Sequence, residues 1–252
     1  MSLSYVVTGG GRGIGRAVVE RLLAGDGHVA VIESDQSAVD WVPARVTPVI
    51  GDAADEAVAA RAADAAQSAG TLAGWVNNAA VFRDASLDSA PAQLVLDLIT
   101  ANLGMAVVGC ATAVRRFLAA GTGGAIVNVS SHQARQAVRG ATPYVTAKAA
   151  IEGLTRALAV EFGPRGIRVN AVAPGSVATE RYADFLRRQG PEGAARIEEE
   201  MGRLHPVGRV ARADEVAAAI GYLLSPDASF INGATVPVDG GRTVLAHDPE
   251  AR

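Results

Sequence analysis

Tyr144 and Lys148 stand four positions apart and form the pair in this sequence best suited to proton transfer. Residues i and i+4 share one face of a helix, and Thr142-Pro143 predicts a helix start with Thr142 as its cap. A free phenol has a pKa of about 10, too high for a general base at neutral pH, and an adjacent ammonium lowers it. Lowering it by about 3 units requires about 4 kcal/mol. The pair predicts the proton-transfer half of a hydride-transfer enzyme, although a surface tyrosine and lysine on an amphipathic helix give the same pattern.

A glycine-rich loop near the start has the form of a phosphate-binding turn. Residues 5–8 are typical of a strand, residues from Ile14 onward of a helix, and GGGRGIG at 9–15 lies between them. Glycine permits a tight turn and lets the backbone approach a phosphate, while the helix N-terminus offers free N–H groups and a positive dipole end. An ordinary glycine-rich turn looks similar, but strand, loop and helix occur in the order that a dinucleotide site requires.

The next predicted strand ends in Glu33, 18 positions after Gly15. A spacing of about 20 is typical of the carboxylate that binds the ribose diol of a dinucleotide. Such a carboxylate accepts two hydroxyl hydrogen bonds and would repel a 2′-phosphate, so it favours NAD over NADP. Arg12 argues the other way if it reaches a 2′-phosphate, and otherwise it is an exposed charge. We weight Glu33 above Arg12 and expect NAD.

The elements that position these residues alternate along the chain. Near-continuous apolar strands separated by alanine-rich helices predict an α/β fold, a doubly wound parallel sheet of about seven strands with helices on both faces. We expect a single domain over 1–252. Its long charged segment, about 176–207, is either a solvated face or a lid over the site. The predicted strands are 3–8, 28–33, 45–50, 74–77, 125–130, 167–173 and 235–238, and the predicted helices include 14–24, 55–68, 102–120 and 143–162.

Composition excludes several classes of protein. Of the 252 residues, 49% are hydrophobic and 19% charged, with a net charge of −3. This excludes a disordered chain, and the absence of a basic block argues against a nucleic-acid partner.

One cysteine, Cys110, excludes an internal disulfide and is expected in the core, which suits a reducing cytosol. The start shows no signal peptide. The apolar run 98–114 is short and contains polar residues, so we expect a buried helix and a cytoplasmic protein. No cluster has metal-ligand spacing.

Together these motifs resemble the short-chain dehydrogenase/reductase family from Leu3 to about Gly241. The resemblance implies that Tyr144 is the catalytic acid/base and that Lys148 lowers its pKa and binds the nicotinamide ribose. It further implies that Ser131 hydrogen-bonds the substrate oxygen. Asn102 would hold a water in a proton relay, or would be a core asparagine bonded to the backbone, and both roles can hold at once. The motifs that carry the resemblance are TGGGRGIG at 8–15, Asn77-Asn78-Ala79, Asn102, Val129-Ser130-Ser131, Tyr144 with Lys148, and Pro174-Gly175.

The resemblance also implies the cofactor contacts. Asp52 and Ala53 would contact the adenine, Asn78-Ala79 would line the adenosine side, and the loop after Pro174 would hold the nicotinamide carboxamide. The expected set is Gly9, Arg12, Gly13, Ile14, Gly15, Glu33, Asp52, Ala53, Asn78, Ala79, Tyr144, Lys148, Pro174, Gly175, Val177 and Thr179.

The predicted function is reversible hydride transfer between a secondary alcohol or carbonyl and NAD(H). An NADPH-dependent carbonyl or 3-oxoacyl reductase is the first alternative, and a non-catalytic dinucleotide-binding regulator is the second. Small residues on the Tyr144 helix and the apolar helix before it agree with internal packing, or with the homodimer or homotetramer that the resemblance implies. The substrate stays open. Side chains expected at the pocket include Phe82, Arg83, His132, Gln133, Arg135 and those of 176–207. Arg135, Arg139 and Arg181 are either carboxylate ligands or surface charges.

Overall fold

The computed structural model describes residues 2–246, and its centre is a seven-stranded parallel sheet. The order is β3-β2-β1-β4-β5-β6-β9, so the chain winds outward from β1 in both directions. This confirms the predicted doubly wound α/β fold. The predicted strand bounds differ from the observed ones by up to three residues. The strands are β1 Leu3–Thr8, β2 His28–Glu33, β3 Val46–Ile50, β4 Thr71–Asn77, β5 Gly124–Val129, β6 Ile167–Pro174 and β9 Thr235–Val238.

Helices cover both faces of the sheet. On one face α1 (Gly13–Leu23) and α7 (Ala213–Leu224) pack over the valines of the inner strands. On the other face lie α2 (Glu56–Ala69), α3 (Ala92–Ala120) and α4 (Thr142–Phe162). Both faces are therefore apolar, which explains why the strands lack an alternating pattern.

Two helix starts differ from the sequence prediction. α3 begins at Ala92, after Pro91, well before the predicted start at 102. Its first turns bury Val95 and Leu98, but the exposed Gln93 and Asp97 interrupt the apolar pattern in the sequence. The residue that precedes α4 is Ala141, whose carbonyl accepts the N–H of Val145. The expected cap at Thr142 is therefore wrong.

By length and composition α3 could cross a membrane. Its most apolar stretch of 18 residues has a mean hydropathy of 1.9, and 39% of that stretch is buried. Core helices of water-soluble proteins have the same character. Here α3 packs against α2, α4 and β4, which agrees with the helix-in-the-core prediction.

The segment beyond β6 leaves the sheet. Two short strands, β7 (Val177–Ala178) and β8 (Ala211–Arg212), pair with each other, and between them lie α5 (Glu180–Arg188) and α6 (Gly190–Leu204). Neither helix has a buried residue. The charged segment predicted at 176–207 is thus a helical excursion at the carboxyl end of β6.

A buried polar ladder joins the centre of the sheet to α4. Asn77 donates to Asn128 Oδ1 at 2.8 Å, and Asn128 donates to Thr155 Oγ1 at 2.9 Å. Gly109 of α3 lies directly against it, since a Cβ added there would stand 1.9 Å from Asn77 Oδ1. Cys110 is buried beside the ladder, and burial raises the pKa of its thiol to about 12, so it is a core residue as expected.

Candidate active site

Ser131 and Tyr144 meet just beyond the carboxyl end of β5. Ser131 begins a short 3-10 helix, and its Oγ accepts the N–H of Gln133 at 3.1 Å. This bond uses a lone pair of the Ser131 oxygen and leaves the hydroxyl hydrogen available for donation to a ligand. Tyr144 lies in the first turn of α4, where the Ser131 side chain is close enough to its phenol to lower the pKa of that phenol. The predicted serine and tyrosine are therefore brought together.

The phenol of Tyr144 is not an activated base in the chain alone. Burial raises the pKa of Tyr144 to about 12, opposed by the hydrogen bond with Ser131 and by the charge of Arg181. Lys148 is not among the groups that lower it, so the structure does not reproduce the lowering expected from the i, i+4 spacing.

The reason lies in the position of the Lys148 ammonium. Its Nζ donates to the Val129 carbonyl at 2.7 Å and lies 5.4 Å from the centre of the Tyr144 ring. The side chain is buried, and burial lowers the pKa of Lys148 to about 8. The Lys148 ammonium is held at the end of β5 by this hydrogen bond, and so it does little to lower the pKa of the phenol. Lys148 is also the only lysine in the sequence, and this alone sets it apart from the many arginines of the chain.

Asn102 is bonded to the backbone, which was one of its two expected roles. Its Oδ1 accepts the N–H of Val81 at 2.9 Å, and its Nδ2 donates to the carbonyls of Val81 and Leu98, both at 3.1 Å. The amide thus holds the segment that carries Phe82, whose ring centre lies 5.2 Å from that of Tyr144. The water-relay role stays a prediction.

The glycine loop has the backbone that a phosphate-binding turn needs. Gly9 and Gly13 have φ of +63° and +53°, and a Cβ on Gly15 would stand 1.9 Å from the Gly9 carbonyl oxygen. The N–H of Gly13, the first residue of α1, donates to the carboxylate of Glu180 at 3.0 Å. This helix terminus therefore holds an anionic group in the structure, and its donors fit a phosphate. Ile14 follows in the same turn. Sequence reasoning missed Glu180.

Glu33 faces the glycine loop from the end of β2. Its Oε2 accepts the N–H of Gly11 at 3.1 Å, and its Oε1 accepts the N–H of Ser34 at 2.9 Å. Arg12 instead forms a salt bridge of 2.6 Å with Asp35. The Glu33 carboxylate is thus held against the glycine loop, and Arg12 is paired with Asp35.

The other expected adenosine contacts lie along the same edge. Asp52 follows β3 and accepts the N–H of Ala54 at 2.9 Å, and Ala53 is buried beside it. The side-chain amide of Asn78 donates to the Gly9 carbonyl at 2.9 Å. The N–H of the following residue, Ala79, donates to the hydroxyl of Thr8 at 3.0 Å. The structure therefore places Asn78 and Ala79 against the glycine loop, and Asp52 and Ala53 just beyond the carboxyl end of β3.

The expected nicotinamide-side loop follows β6. Pro174 is the last residue of β6, and Gly175 has no room for a Cβ, which would stand 2.9 Å from His205 Nε2. Val177 lies in β7. Thr179 begins α5 by accepting the N–H of Tyr182, and its methyl group would stand 3.1 Å from a Cβ on Gly13. This loop therefore packs against the glycine loop.

Two histidines near the site serve the framework. Nδ1 of His132 contacts the Pro174 carbonyl at 3.2 Å, and burial lowers the pKa of His132 to about 4. His205 bridges the Met201 carbonyl at 2.7 Å and the N–H of Ser176 at 3.2 Å. Within residues 2–246, no group of three or more His, Cys, Asp or Glu side chains is arranged to hold a metal ion.

The fold and the site define an oxidoreductase of Rossmann-like architecture, and comparison with known proteins identifies its family. A family model described as enoyl-(acyl carrier protein) reductase matches residues 9–243. Short-chain reductase protein NovJ from Streptomyces niveus is 36% identical over 94% of this chain and 92% of its own. Ligand-free aldohexose dehydrogenase from Thermoplasma acidophilum has a TM-score of 0.90 at 28% identity, over 100% of this chain and 98% of that one. ElxO with NADP bound has a TM-score of 0.87 at 26% identity, and the match covers 97% of this chain and 100% of that one. The chain belongs to the short-chain dehydrogenase/reductase family, and the resemblance seen in the sequence is confirmed.

Proposed function

We propose that this chain is an NAD-dependent dehydrogenase that transfers a hydride reversibly between a secondary alcohol, or its ketone, and NAD(H). The observation that carries the proposal is the meeting of Ser131, Tyr144 and Lys148 at the carboxyl end of β5. The glycine loop lies at the same edge of the sheet, two strands away on β1. Ligands of open α/β sheets bind along that edge.

The proposal gives each residue a role. Tyr144 takes the hydroxyl proton of the alcohol, and Ser131 donates its free hydrogen to the same oxygen as it becomes a carbonyl. The bound nicotinamide supplies the hydride acceptor at its C4. Because burial raises the pKa of Tyr144 to about 12, forming the phenolate needs more positive charge beside it than Arg181 supplies, and the oxidised cofactor would add that charge when it is bound. Asn102 would hold the water that relays the proton onward.

Two contacts support NAD over NADP. The Glu33 carboxylate is held where the adenosine ribose would lie, and a 2′-phosphate there would meet its negative charge. Arg12 is paired with Asp35. The NADP bound to ElxO is a property of that protein, and the choice for this chain is part of the proposal.

The proposal also covers the domain organisation, the lid and the oligomeric state of the protein. Residues 1–252 form one domain, of which Met1 and 247–252 lie outside the described residues, and the segment 176–207 acts as a lid. The protein forms a dimer or tetramer through α3 and α4, which pack together and expose Leu96, Val107 and Val160. It works in the cytoplasm on a small molecule, without a metal and without nucleic-acid or membrane partners.

A screen of secondary alcohols with NAD tests the function. We would follow reduced nicotinamide absorbance in alkaline buffer with polyols, sugars, hydroxy acids, steroids and dihydrodiols, with Tyr144→Phe as the blank. Turnover with NAD that disappears in the blank supports the proposal. Turnover only with NADP would favour a carbonyl or 3-oxoacyl reductase, and tight NAD binding without any turnover would favour a regulator.

A further inference from the structure

Arg181 is a cation without an anionic partner beside the proposed acid/base. Its guanidinium carbon lies 3.9 Å from the centre of the Phe82 ring, and that ring is 5.2 Å from the ring of Tyr144. Within residues 2–246, Arg181 forms no ion pair and no hydrogen bond. Its charge nevertheless acts on the phenol, whose pKa it lowers. The lid helix α5 thus places one positive charge at the place where the substrate must lie.

The other two arginines considered in the sequence differ from Arg181. Arg135 is committed to Glu152, with 3.4 Å between Nε and Oε2. Arg139 is exposed in the loop before α4 and forms no hydrogen bond or ion pair with any other residue of 2–246. Only Arg181 combines a free guanidinium with a position beside Tyr144.

The contact with Phe82 leaves the guanidinium ready to bind. A cation held over a ring face is attracted by the ring quadrupole, and its N–H groups are not consumed by that contact. A planar guanidinium then offers paired donors that match the two oxygens of a carboxylate. Burial of this ion pair under the lid would strengthen it, because the surrounding dielectric falls.

A second polar group near the site also lacks a partner. Oε1 of Gln133 is sealed from solvent and accepts no hydrogen bond within residues 2–246. The backbone N–H of the same residue is bonded to Ser131 Oγ, so Gln133 stands next to the proposed reacting oxygen. Buried acceptors are normally satisfied, and a substrate hydroxyl, which can donate where a carboxylate cannot, would satisfy this one.

We propose that Arg181 is the specificity residue for a substrate carboxylate, so that the substrate is a hydroxy acid and the product the corresponding keto acid. This inference rests on the proposed function. In the oxidation the carbinol C–H bond breaks and its hydride goes to NAD, while the hydroxyl proton goes to Tyr144 and the C–O bond becomes a double bond. The carboxylate is unchanged and serves only to orient the substrate beneath the lid.

Matched pairs of charged and neutral alcohols test the proposal. The pairs are 3-hydroxybutyrate with its methyl ester and 4-hydroxycyclohexanecarboxylate with its methyl ester. We expect the wild type to prefer the acids by about 10- to 100-fold in kcat/KM. In Arg181→Met the ratio of acid to ester falls to near one, mainly through KM for the acid. Arg181→Lys keeps part of the preference, because it keeps the positive charge but loses the paired N–H donors of the guanidinium. Arg188→Met, which removes an exposed charge on the same helix, leaves the ratio unchanged.

A binding measurement separates this inference from the proposed function. Cyclohexanecarboxylate and cyclohexanecarboxamide are added to the protein with NADH, and binding is read from nicotinamide fluorescence. Tighter binding of the carboxylate by the wild type, lost in Arg181→Met, supports the inference even if no alcohol is turned over. Equal binding of the two probes, or a preference for the acids that survives in Arg181→Met, overturns it. Turnover of the neutral esters with NAD would still leave the dehydrogenase function standing.

Discussion

The backbone N–H of Gly13 and the carboxylate of Glu180 are joined by a hydrogen bond of 3.0 Å. The contact ties the start of α5 to the first residue of α1, where the pyrophosphate of a dinucleotide is expected. A carboxylate and a phosphate that approach the same N–H groups repel each other, so we expect the Glu180 carboxylate to oppose cofactor binding.

Neutralising Glu180 should therefore tighten cofactor binding. In Glu180→Gln the amide oxygen still accepts the hydrogen bond of Gly13, but the negative charge is gone. We expect the Kd for NAD, measured by calorimetry at low salt, to fall about 3- to 10-fold, as for charges near a helix terminus. The control Glu192→Gln removes an exposed charge from α6 and should leave the Kd unchanged. An unchanged or higher Kd in Glu180→Gln would show that the contact does not oppose the cofactor.

Sequence patterns predicted the sheet well because its strands are covered on both faces. A strand such as β5 is apolar at nearly every position, and this is visible without any knowledge of its neighbours. The start of α3 was missed although Val95 and Leu98 give its first turns a buried apolar side, because the exposed Gln93 and Asp97 interrupt that pattern. Periodicity reports burial, and where a helix is exposed it reports little.

The candidate site was predicted by residue type, but its contacts were not. Helical spacing places Lys148 near Tyr144, yet it does not show that the ammonium binds the Val129 carbonyl. The bond between Gly13 and Glu180 links positions that are 167 residues apart, and no local pattern encodes it. Such contacts depend on tertiary packing and become visible only in the folded chain.

Removing the phenol should abolish turnover while leaving cofactor binding intact. Tyr144→Phe keeps the ring that packs on Phe82 and removes only the hydroxyl that moves the proton. We expect kcat to fall by a factor of about 100 or more, the usual contribution of a general acid/base, with an unchanged Kd for NAD. Tyr222→Phe, which alters an exposed tyrosine on α7, should behave as wild type. Near-normal turnover in Tyr144→Phe would remove Tyr144 from the mechanism.

The cofactor preference should respond to two carboxylates in different ways. Glu33→Gln removes the charge that faces the adenosine ribose, so we expect NAD to bind about 10-fold more weakly, the equivalent of about 1.4 kcal/mol. Asp35→Asn breaks the salt bridge of Arg12 and frees it for a 2′-phosphate, so NADP binding should tighten while NAD binding changes little. Both constants come from the same fluorescence titration. If Glu33→Gln leaves NAD binding unchanged, Glu33 does not select the cofactor.

The single lysine allows a direct test of its own ionisation. Because Lys148 is the only lysine, protein labelled with 13C at lysine Cε gives one side-chain signal. Burial lowers the pKa of Lys148 to about 8 from 10.5, so we expect that signal to titrate near pH 8 in the folded protein. A midpoint near 10.5 would mean that the ammonium is solvated.

The same shift in pKa makes Lys148 costly to stability at neutral pH. Below about pH 8 the folded protein carries a buried charge, which lowers the free energy of unfolding by about 3 kcal/mol. From pH 8 to 10.5 the folded state releases the proton before the unfolded state does, so stability rises with pH.

Lys148→Met should therefore be more stable than wild type at pH 7. Loss of the hydrogen bond to the Val129 carbonyl costs about 1 kcal/mol, so we expect a net gain of about 2 kcal/mol. This gain should disappear above pH 10. Urea unfolding at a series of pH values measures it. A variant that is less stable at pH 7, or a gain that does not depend on pH, would contradict the interpretation.

Two glycines of α3 provide a matched pair for the packing of the polar ladder. A Cβ on Gly109 would stand 1.9 Å from Asn77 Oδ1, whereas a Cβ on Gly104 meets nothing within 4 Å. Alanine favours a helix over glycine by about 1 kcal/mol, so Gly104→Ala should raise the free energy of unfolding by up to that amount. Gly109→Ala gains the same propensity but must displace the Asn77 amide from its bond with Asn128. Overpacking of this kind costs about 1–3 kcal/mol, and a broken buried hydrogen bond adds to it, so we expect a net loss of about 2 kcal/mol or more in urea unfolding. Equal stabilisation by both substitutions would show that α3 shifts freely over the sheet and that the ladder does not set its distance from β4.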